Sequence, residues 1–450
     1  MQRKTLQGFG LLLALCLLIT YIASQNQIVE AKVEPGITNN EIKLGSSYPF
    51  KAPSGWHQGF FDGVDAYFKY LNINGGIYGR NIRMVYLDDD NLPQKAIVNT
   101  NTLVLRENIF ALFNSSPSAA TQIAAHRSTS IDRRGIPNLA VTASYSGLND
   151  LEKYSTTFPV VPNGRQEARM ILHFLENKFG ETPFQILVES SDLESDFIGA
   201  SGKNYSRFGR SQMYIQGMIP IASEYPTDLS GILIFGSRTG VFDSNDKMRV
   251  KATQFPLVVR GAAVSGFLPE SELTNTFFNH YLPAFSDIHD PYIAFFLEIF
   301  RQYAPGKPVT QAMVEGANAA YITAQALARI GKNPTRAKLI AFLRKDAKSL
   351  STAAYWPLDY SGSEKSGEFV QTIYTFNGKN SVKATDYFLV NKNGSSIASV
   401  TPQRLALLPK GLPLLTESVV SSSTITCKKG KVTRVISGID PKCPAGFRKI

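Results

Sequence analysis

The chain has 450 residues, 47 Lys+Arg against 36 Asp+Glu, and is 43% apolar, 11% aromatic and 18% charged. That length sets a soft expectation of two to three domains, and the apolar content excludes a disordered or collagen-like polymer. A single apolar stretch near membrane-spanning length excludes a multi-pass channel or permease.

Of the +11 formal charge, Cys427–Ile450 holds +6: Lys428, Lys429, Lys431, Arg434, Lys442, Arg448 and Lys449 against Asp440. Arg3 and Lys4 hold +2, leaving the remainder near +3. Nucleic-acid proteins spread basic charge as a stripe over the fold, so no nucleic-acid partner is expected.

Residues 1–31 read as a secretory signal, with Arg3 and Lys4 before the apolar run Phe9–Ala23 and small residues at Val29-Glu30-Ala31. Cleavage is expected after Ala31, with Ser24 as the alternative. The apolar run falls short of the ~20 residues that cross a bilayer, so no stable span is expected after cleavage; a retained anchor is the other reading. Cys16 faintly resembles a lipoprotein box, but Leu15 before it is too large. Cleavage leaves Cys427 and Cys443, a pair that favours a disulfide in an exported chain, or else two free thiols. Closing that loop of roughly 15 residues is worth ~3 kcal/mol by chain entropy.

In chain order, Glu41–Tyr48 predicts a first strand. A helix follows over about Gly55–Leu71, with Phe60, Phe61, Val64, Tyr67, Phe68 and Leu71 on one face. Asn74-Gly75-Gly76 ends it, because glycine tolerates the left-handed backbone of a helix C-terminus. Ile82–Leu87 is the second strand, then a helix from Pro93 to about Asn108, the strand Ile109–Phe113, the helix Ser118–Ile131 and the strand Ile136–Thr142. A second set opens near Phe158, with a helix carrying Ala168, Ile171, Leu172, Leu175 and Phe179 on one face. Strands at Phe184–Val188, Gly231–Phe235 and Pro256–Val259, helices at 291–303, 309–331 and 335–344, and strands at Phe369–Phe376 and Tyr387–Val390 complete it. This alternation predicts an α/β fold with mostly parallel sheets.

The phosphate-loop, dinucleotide, zinc-protease and nucleophile-elbow motifs are all missing. Asp287-Ile288-His289-Asp290 reads as the cap of the helix near Pro291 rather than a metal site. Asp88-Asp89-Asp90 reads as a solvated helix cap favoured by the dipole. No enzyme activity, cofactor or metal is expected.

Gly36-Ile37-Thr38-Asn39-Asn40-Glu41-Ile42-Lys43-Leu44-Gly45, Gly63-Val64-Asp65-Ala66-Tyr67-Phe68, Asn72-Ile73-Asn74-Gly75-Gly76-Ile77-Tyr78-Gly79-Arg80 and Phe110-Ala111-Leu112-Phe113 follow in order. This run resembles the type I periplasmic binding proteins of the branched-chain amino acid and amide branch. The likeness is strong over 36–165 and returns at 309–331. It implies two doubly wound parallel-sheet lobes joined by three crossovers, closing on a small-molecule ligand for an ABC transporter permease from the periplasm or extracytoplasmic surface. The implied parts are lobe 1 at 36–161 and 291–344, lobe 2 at 162–290 and 345–400, a linker at 401–424, and a basic, disulfide-closed β-hairpin tail at 425–450.

Ligands of parallel sheets sit at strand C-termini, where helices start. Those positions are Ser54-Gly55, Ser115-Ser116, and Thr142 with Ser144 and Tyr145. The resemblance matches Ser115 or Ser116, and Thr142 or Ser144, to carboxylate-binding hydroxyls; plain N-caps are the alternative. Trp56 and Tyr145 stack on the ligand or cover the rim. In lobe 2 the loop Ser190–Phe197 lacks the tyrosine many relatives place there, and Asp192 or Asp196 is left to meet a ligand ammonium. Few residues separate Tyr225 from Gly231, too few for the helix usual there. The rival reading is a cell-surface or sensory binding module whose basic tail docks a partner or envelope polymer.

Overall fold

The computed structural model describes residues 34–51, 55–115, 118–150, 153–180, 184–188, 191–201, 209–213, 231–236, 256–264, 274–362, 367–378, 380–415, 423–429, 432–438 and 447–449. The expected signal 1–31, Ser54, Ser116, Cys443 and the 225–230 connection lie outside them. The fold below is that of Gly36–Ile450.

The first sheet is built from β1 (Glu41–Tyr48), β2 (Asn81–Asp88), β3 (Ala111–Phe113), β4 (Asn138–Val141) and β5 (Thr157–Pro159), in the order β2-β1-β3-β4-β5 and parallel throughout. Between them run α1 (Gly55–Ile73), α2 (Pro93–Leu105) and α3 (Ala119–Thr129). Phe60, Phe61, Val64, Tyr67, Phe68 and Leu71 of α1 are all buried in one core, as the 3.6-residue spacing predicts. Gly75 and Gly76 have φ of 100° and 63°, which closes the helix as expected. Pro159 sits on the outermost strand, where its missing N–H costs no ladder bond.

After α4 (Gly164–Phe179) the second sheet begins: β6 (Phe184–Val188), α5 (Ser191–Ser201), β7 (Gly209–Met213), β8 (Gly231–Phe235), β9 (Leu257–Val259) and β10 (Thr276–His280). Their order, β7-β6-β8-β9-β10, repeats that of the first sheet, again parallel. The sheet is nevertheless mixed rather than purely parallel. β11 (Phe369–Phe376), β12 (Ser381–Lys383), β13 (Phe388–Val390) and β14 (Ile397–Ser399) extend it through antiparallel pairs.

Between β10 and β11 the chain returns to the first sheet as α6 (Pro291–Tyr303), α7 (Gln311–Arg329) and α8 (Arg336–Asp346). Asp290 caps α6, as expected, accepting from the N–H groups of Tyr292 and Ile293. Eighteen of the nineteen α7 residues are buried, so this helix is enclosed on all sides, with Gln311, Glu315, Asn318, Thr323 and Gln325 buried among its apolar residues. It lies against α1 at backbone distance: a Cβ on Gly63 would overlap the Met313 carbonyl, and one on Gly316 the Phe60 carbonyl.

Two segments depart from the sequence-derived boundaries. Residues 347–360, assigned to the end of lobe 2, bury Ala347, Leu350, Ala353, Ala354, Leu358 and Tyr360 in the core formed with β1, α1 and α7. Residues 401–412, expected as linker, form a strap across that lobe. Tyr292 Oη donates to Leu405 O at 2.6 Å, Tyr67 Oη to Gly411 O at 2.8 Å, and Arg404 pairs with Asp290 at 2.5 Å, while Leu407, Leu408 and Leu412 pack on the core. The described tail is a three-stranded antiparallel sheet, not a two-stranded hairpin, with β15 (Ser423–Lys429) between β16 (Val432–Gly438) and β17 (Arg448–Lys449). The disulfide expected between Cys427 and Cys443 stays an expectation, since only Cys427 falls on a described strand. Among the described residues, no helix is long and apolar enough to cross a membrane.

Candidate functional site

In a sheet ordered 2-1-3-4-5, connections leave to opposite faces on either side of the first and third strands, opening a crevice beyond their C-terminal ends. In the first sheet that end holds Ser46, Ser47 and Tyr48 of β1, Asn114 and Ser115 after β3, and Thr142 and Ser144 after β4. These side chains form one network. Asn114 Oδ1 accepts from the Thr142 N–H at 3.1 Å and its hydroxyl at 2.9 Å, and Ser115 Oγ accepts from the Ser47 N–H at 3.1 Å. Ser47 in turn donates to Asp89 at 2.9 Å. Burial raises the Tyr48 phenol, against hydrogen bonds to Thr142 and Asn114 that pull the other way.

Asp89 corrects one expectation. It is fully buried beneath Ser47, with its carboxyl raised by that burial, and is not a solvated cap. The α2 N-cap is Leu92, which makes no side-chain bond.

The facing wall comes from the second sheet and the connecting segments. Arg260 follows β9, Asn279 and His280 end β10, Tyr281 follows, Glu167 sits in the first turn of α4, and Glu315 in the second turn of α7. With Thr142, Ser144, Val161, Pro162 and Gly261 they line one cleft of about 40 Å³, room for roughly three waters. Arg260 donates to Glu167 Oε2 through Nε at 3.0 Å and Nη2 at 2.5 Å, and crosses to the first lobe through Nη2 to Ser144 Oγ at 2.7 Å. Desolvation raises the Glu167 carboxyl, and the Arg260 cation opposes that rise. His280 Nε2 meets Glu315 Oε1 at 3.0 Å, also between lobes. Burial raises the Tyr281 phenol, with the Glu315 charge adding to it.

A second junction lies beside the cleft. Asp196 of α5 is fully buried; it accepts the Ser146 N–H at 3.0 Å and the Ser146 hydroxyl, with Arg165 at 3.5 Å. Burial nevertheless raises its carboxyl.

The sequence-derived set is thus divided. Thr142 and Ser144 line the cleft, and Ser115 lies within the strand-end network behind Thr142. Tyr145 and Asp192 are half-buried by the Ser146–Asp196 junction, where burial raises the Tyr145 phenol and the charges of Asp192 and Asp196 add to that rise. Asp196 joins lobe to lobe. Gly55 and Trp56 open α1. Sequence reasoning missed Tyr48, Glu167, Arg260, His280 and Glu315. Two carried a signal: Arg260 follows an apolar strand run, and Glu315 is the lone acid of an alanine-rich helix. Among the described residues no group of three His, Cys, Asp or Glu side chains is placed to hold a metal.

Residues 41–209 match the model of a family described as periplasmic binding proteins. The fold matches solved structures of such proteins. A substrate-binding periplasmic protein from Ralstonia solanacearum is 18% identical over 76% of this chain and 100% of its own, with a TM-score of 0.63.

The chain has the fold of the type I periplasmic binding proteins.

The chain also resembles the branched-chain amino acid transporter substrate-binding protein of Streptococcus pneumoniae solved with isoleucine, 16% identical over 76% of this chain and 100% of that one, TM-score 0.60. A solute-binding protein from R. palustris solved with benzoate is 18% identical over 80% of this chain and 98% of its own, TM-score 0.61. No curated protein sequence matches the chain.

Proposed function

We propose that this chain is an extracytoplasmic solute-binding protein that captures a small polar ligand between its lobes by hinge closure and delivers it to an ABC-type permease. The observation that carries the proposal is the bond from Arg260 of the second lobe to Ser144 of the first, at the carboxyl ends of both sheets. An oxyanion on the ligand is taken by Arg260 and the Thr142 and Ser144 hydroxyls, with Asn114 holding Thr142 in place and Ser115 bound to the Ser47 N–H. Glu315 is the acid best situated for an ammonium or amide N–H, with Asp192 and Asp196 closing the side of the cleft. Ser54, Gly55, Trp56, Ser116 and Tyr145 stay in this reading as candidate ligand contacts from their strand-end and helix-start positions in the sequence. The ligand is accordingly an amino acid, an amide or a related carboxylate, in keeping with the isoleucine and benzoate held by two similar proteins. Closure follows from population shift, because a ligand touching both walls favours the closed form by its difference in affinity. A cleaved signal at 1–31 and a Cys427–Cys443 bridge belong to the same reading.

A thermal-shift screen of the purified chain against amino acids, amides, urea analogues, polyols and aromatic acids tests it. A ligand at 100 times its Kd adds ~2.7 kcal/mol. One chemical class shifting the melt is the expected result; a flat screen on folded protein rejects the proposal.

A further inference from the structure

The three tail strands carry five basic residues, Lys428, Lys429, Arg434, Arg448 and Lys449, and no acid. Their register gathers those positions. Cys427 is opposite Arg434 on one side and Lys449 on the other, and Lys428 is opposite Thr433 and Arg448. The alternation of the strands gives Lys428 and Arg448 to one face and Lys429, Arg434 and Lys449 to the other. With strands about 4.8 Å apart and a rise of about 3.4 Å per residue, the five positions fall within roughly 10 Å by 7 Å. That is about one Debye length at physiological salt, so their fields add. Lys428 and Arg448 are both exposed and directly opposed, an arrangement of like charges that destabilises a ladder until an anion offsets it.

We propose that this sheet is a docking module for an anionic glycan of the cell envelope, one bearing phosphate or carboxylate groups along its length. Two features favour a hydrated polymer over a lipid surface. The strands hold five hydroxyl residues, Ser423, Thr424, Thr426, Thr433 and Ser437, suited to sugar and phosphate oxygens. They hold no aromatic residue and no leucine, the residues that sink a membrane-surface segment into the bilayer. The strap gives the module its mechanical sense. Residues 404–412 are bonded to α1, α6 and α7, so the tail leaves from the first lobe and tethers that lobe while the second is free to swing. The proposal rests on the extracytoplasmic location proposed above, but not on the identity of the cleft ligand.

The test compares the full chain with a variant carrying Lys428→Gln, Lys429→Gln, Arg434→Gln, Arg448→Gln and Lys449→Gln. Each is titrated against immobilised polyphosphate, polygalacturonate and phosphatidylglycerol vesicles over a salt series. Neutralising the two or three phosphates that one face of the sheet can meet on a flexible chain gives a log–log salt slope of about −1.5 to −2. The expected result is polymer binding with that slope, weakened at least tenfold in the variant, whose melting temperature is unchanged. Polymer binding that is absent, or equal in both proteins, overturns the proposal. Tighter binding to the vesicles than to either polymer overturns it in favour of a membrane surface. A cleft-ligand melt shift recorded in parallel on both proteins keeps failure here distinct from failure of the uptake reading.

Discussion

Arg260→Met is the substitution that most sharply probes the cleft. The wild-type guanidinium makes two hydrogen bonds to Glu167, one to Ser144, and lies 5.3 Å from the centre of the Phe235 ring. Arg260 and Glu167 are 7% and 5% exposed, so water screens the pair little. Replacing the cation with an apolar chain of similar volume leaves Glu167 buried and unpaired, a loss of about 3–5 kcal/mol where it stays ionised. The carboxyl, already raised by burial, rises further once its cation is gone. A carboxyl raised in the native state holds a proton that the unfolded chain releases, so its contribution to stability declines as pH rises through the native pKa. The variant is therefore expected to lose most at pH 8 and distinctly less at pH 5, and adding Glu167→Gln recovers most of the loss. Urea denaturation of wild type, single and double variants at both pH values reads this out. An equal loss at the two pH values, or a double variant no better than the single, refutes the reasoning.

Asp196→Ala removes a buried acceptor from Ser146 across the lobes, and bonds to charged groups are worth about 1.5–3 kcal/mol each. Its scattering profile should show a larger radius of gyration than wild type; an identical profile counts against the junction. Deleting 401–450 should lower the melting temperature well below that left by deleting 416–450, because only the first removes the Tyr67, Tyr292 and Arg404 contacts of the strap. Equal melts would mean the strap adds nothing. Gly316→Ala should cost at least about 1–3 kcal/mol by driving α7 off α1, measured as a lower urea midpoint. Burial lowers His57 from 6.5 to about 4, so the native state binds fewer protons than the unfolded chain over that range. The stability advantage of wild type over His57→Phe should shrink as pH falls through that window, and a constant difference would exclude the effect.

Much of the fold is legible in the apolar runs. Glu41–Tyr48, Phe184–Val188, Gly231–Phe235 and Phe369–Phe376 are strands with the expected bounds; in Phe184–Val188 and Gly231–Phe235 burial on both faces shows as a nearly continuous apolar run. Thr276–His280 was not expected, since its polar end, Asn279-His280, looks like loop until Glu315 and Gln371 are seen to satisfy it. Ser191–Ser201 lacks a clear apolar stripe; its acids turn inward to Ser146 and outward to solvent, which hides the helix. Strap leucines 405, 407, 408 and 412 were a signal masked by the flanking Pro, Ser and Thr. In the site, hydroxyls at strand ends could be located from strand positions alone. The charges could not, because Glu167, Arg260, His280 and Glu315 come from four elements far apart in the chain and acquire partners only once the lobes meet.

Calorimetric titration of the compound that shifts the melt, into wild type and into a Thr142→Val/Ser144→Ala variant, tests the central claim most directly. The account predicts one-site binding to wild type and at least tenfold weaker binding to the variant, with the variant's melting temperature preserved. Equal affinity in the two proteins would contradict it.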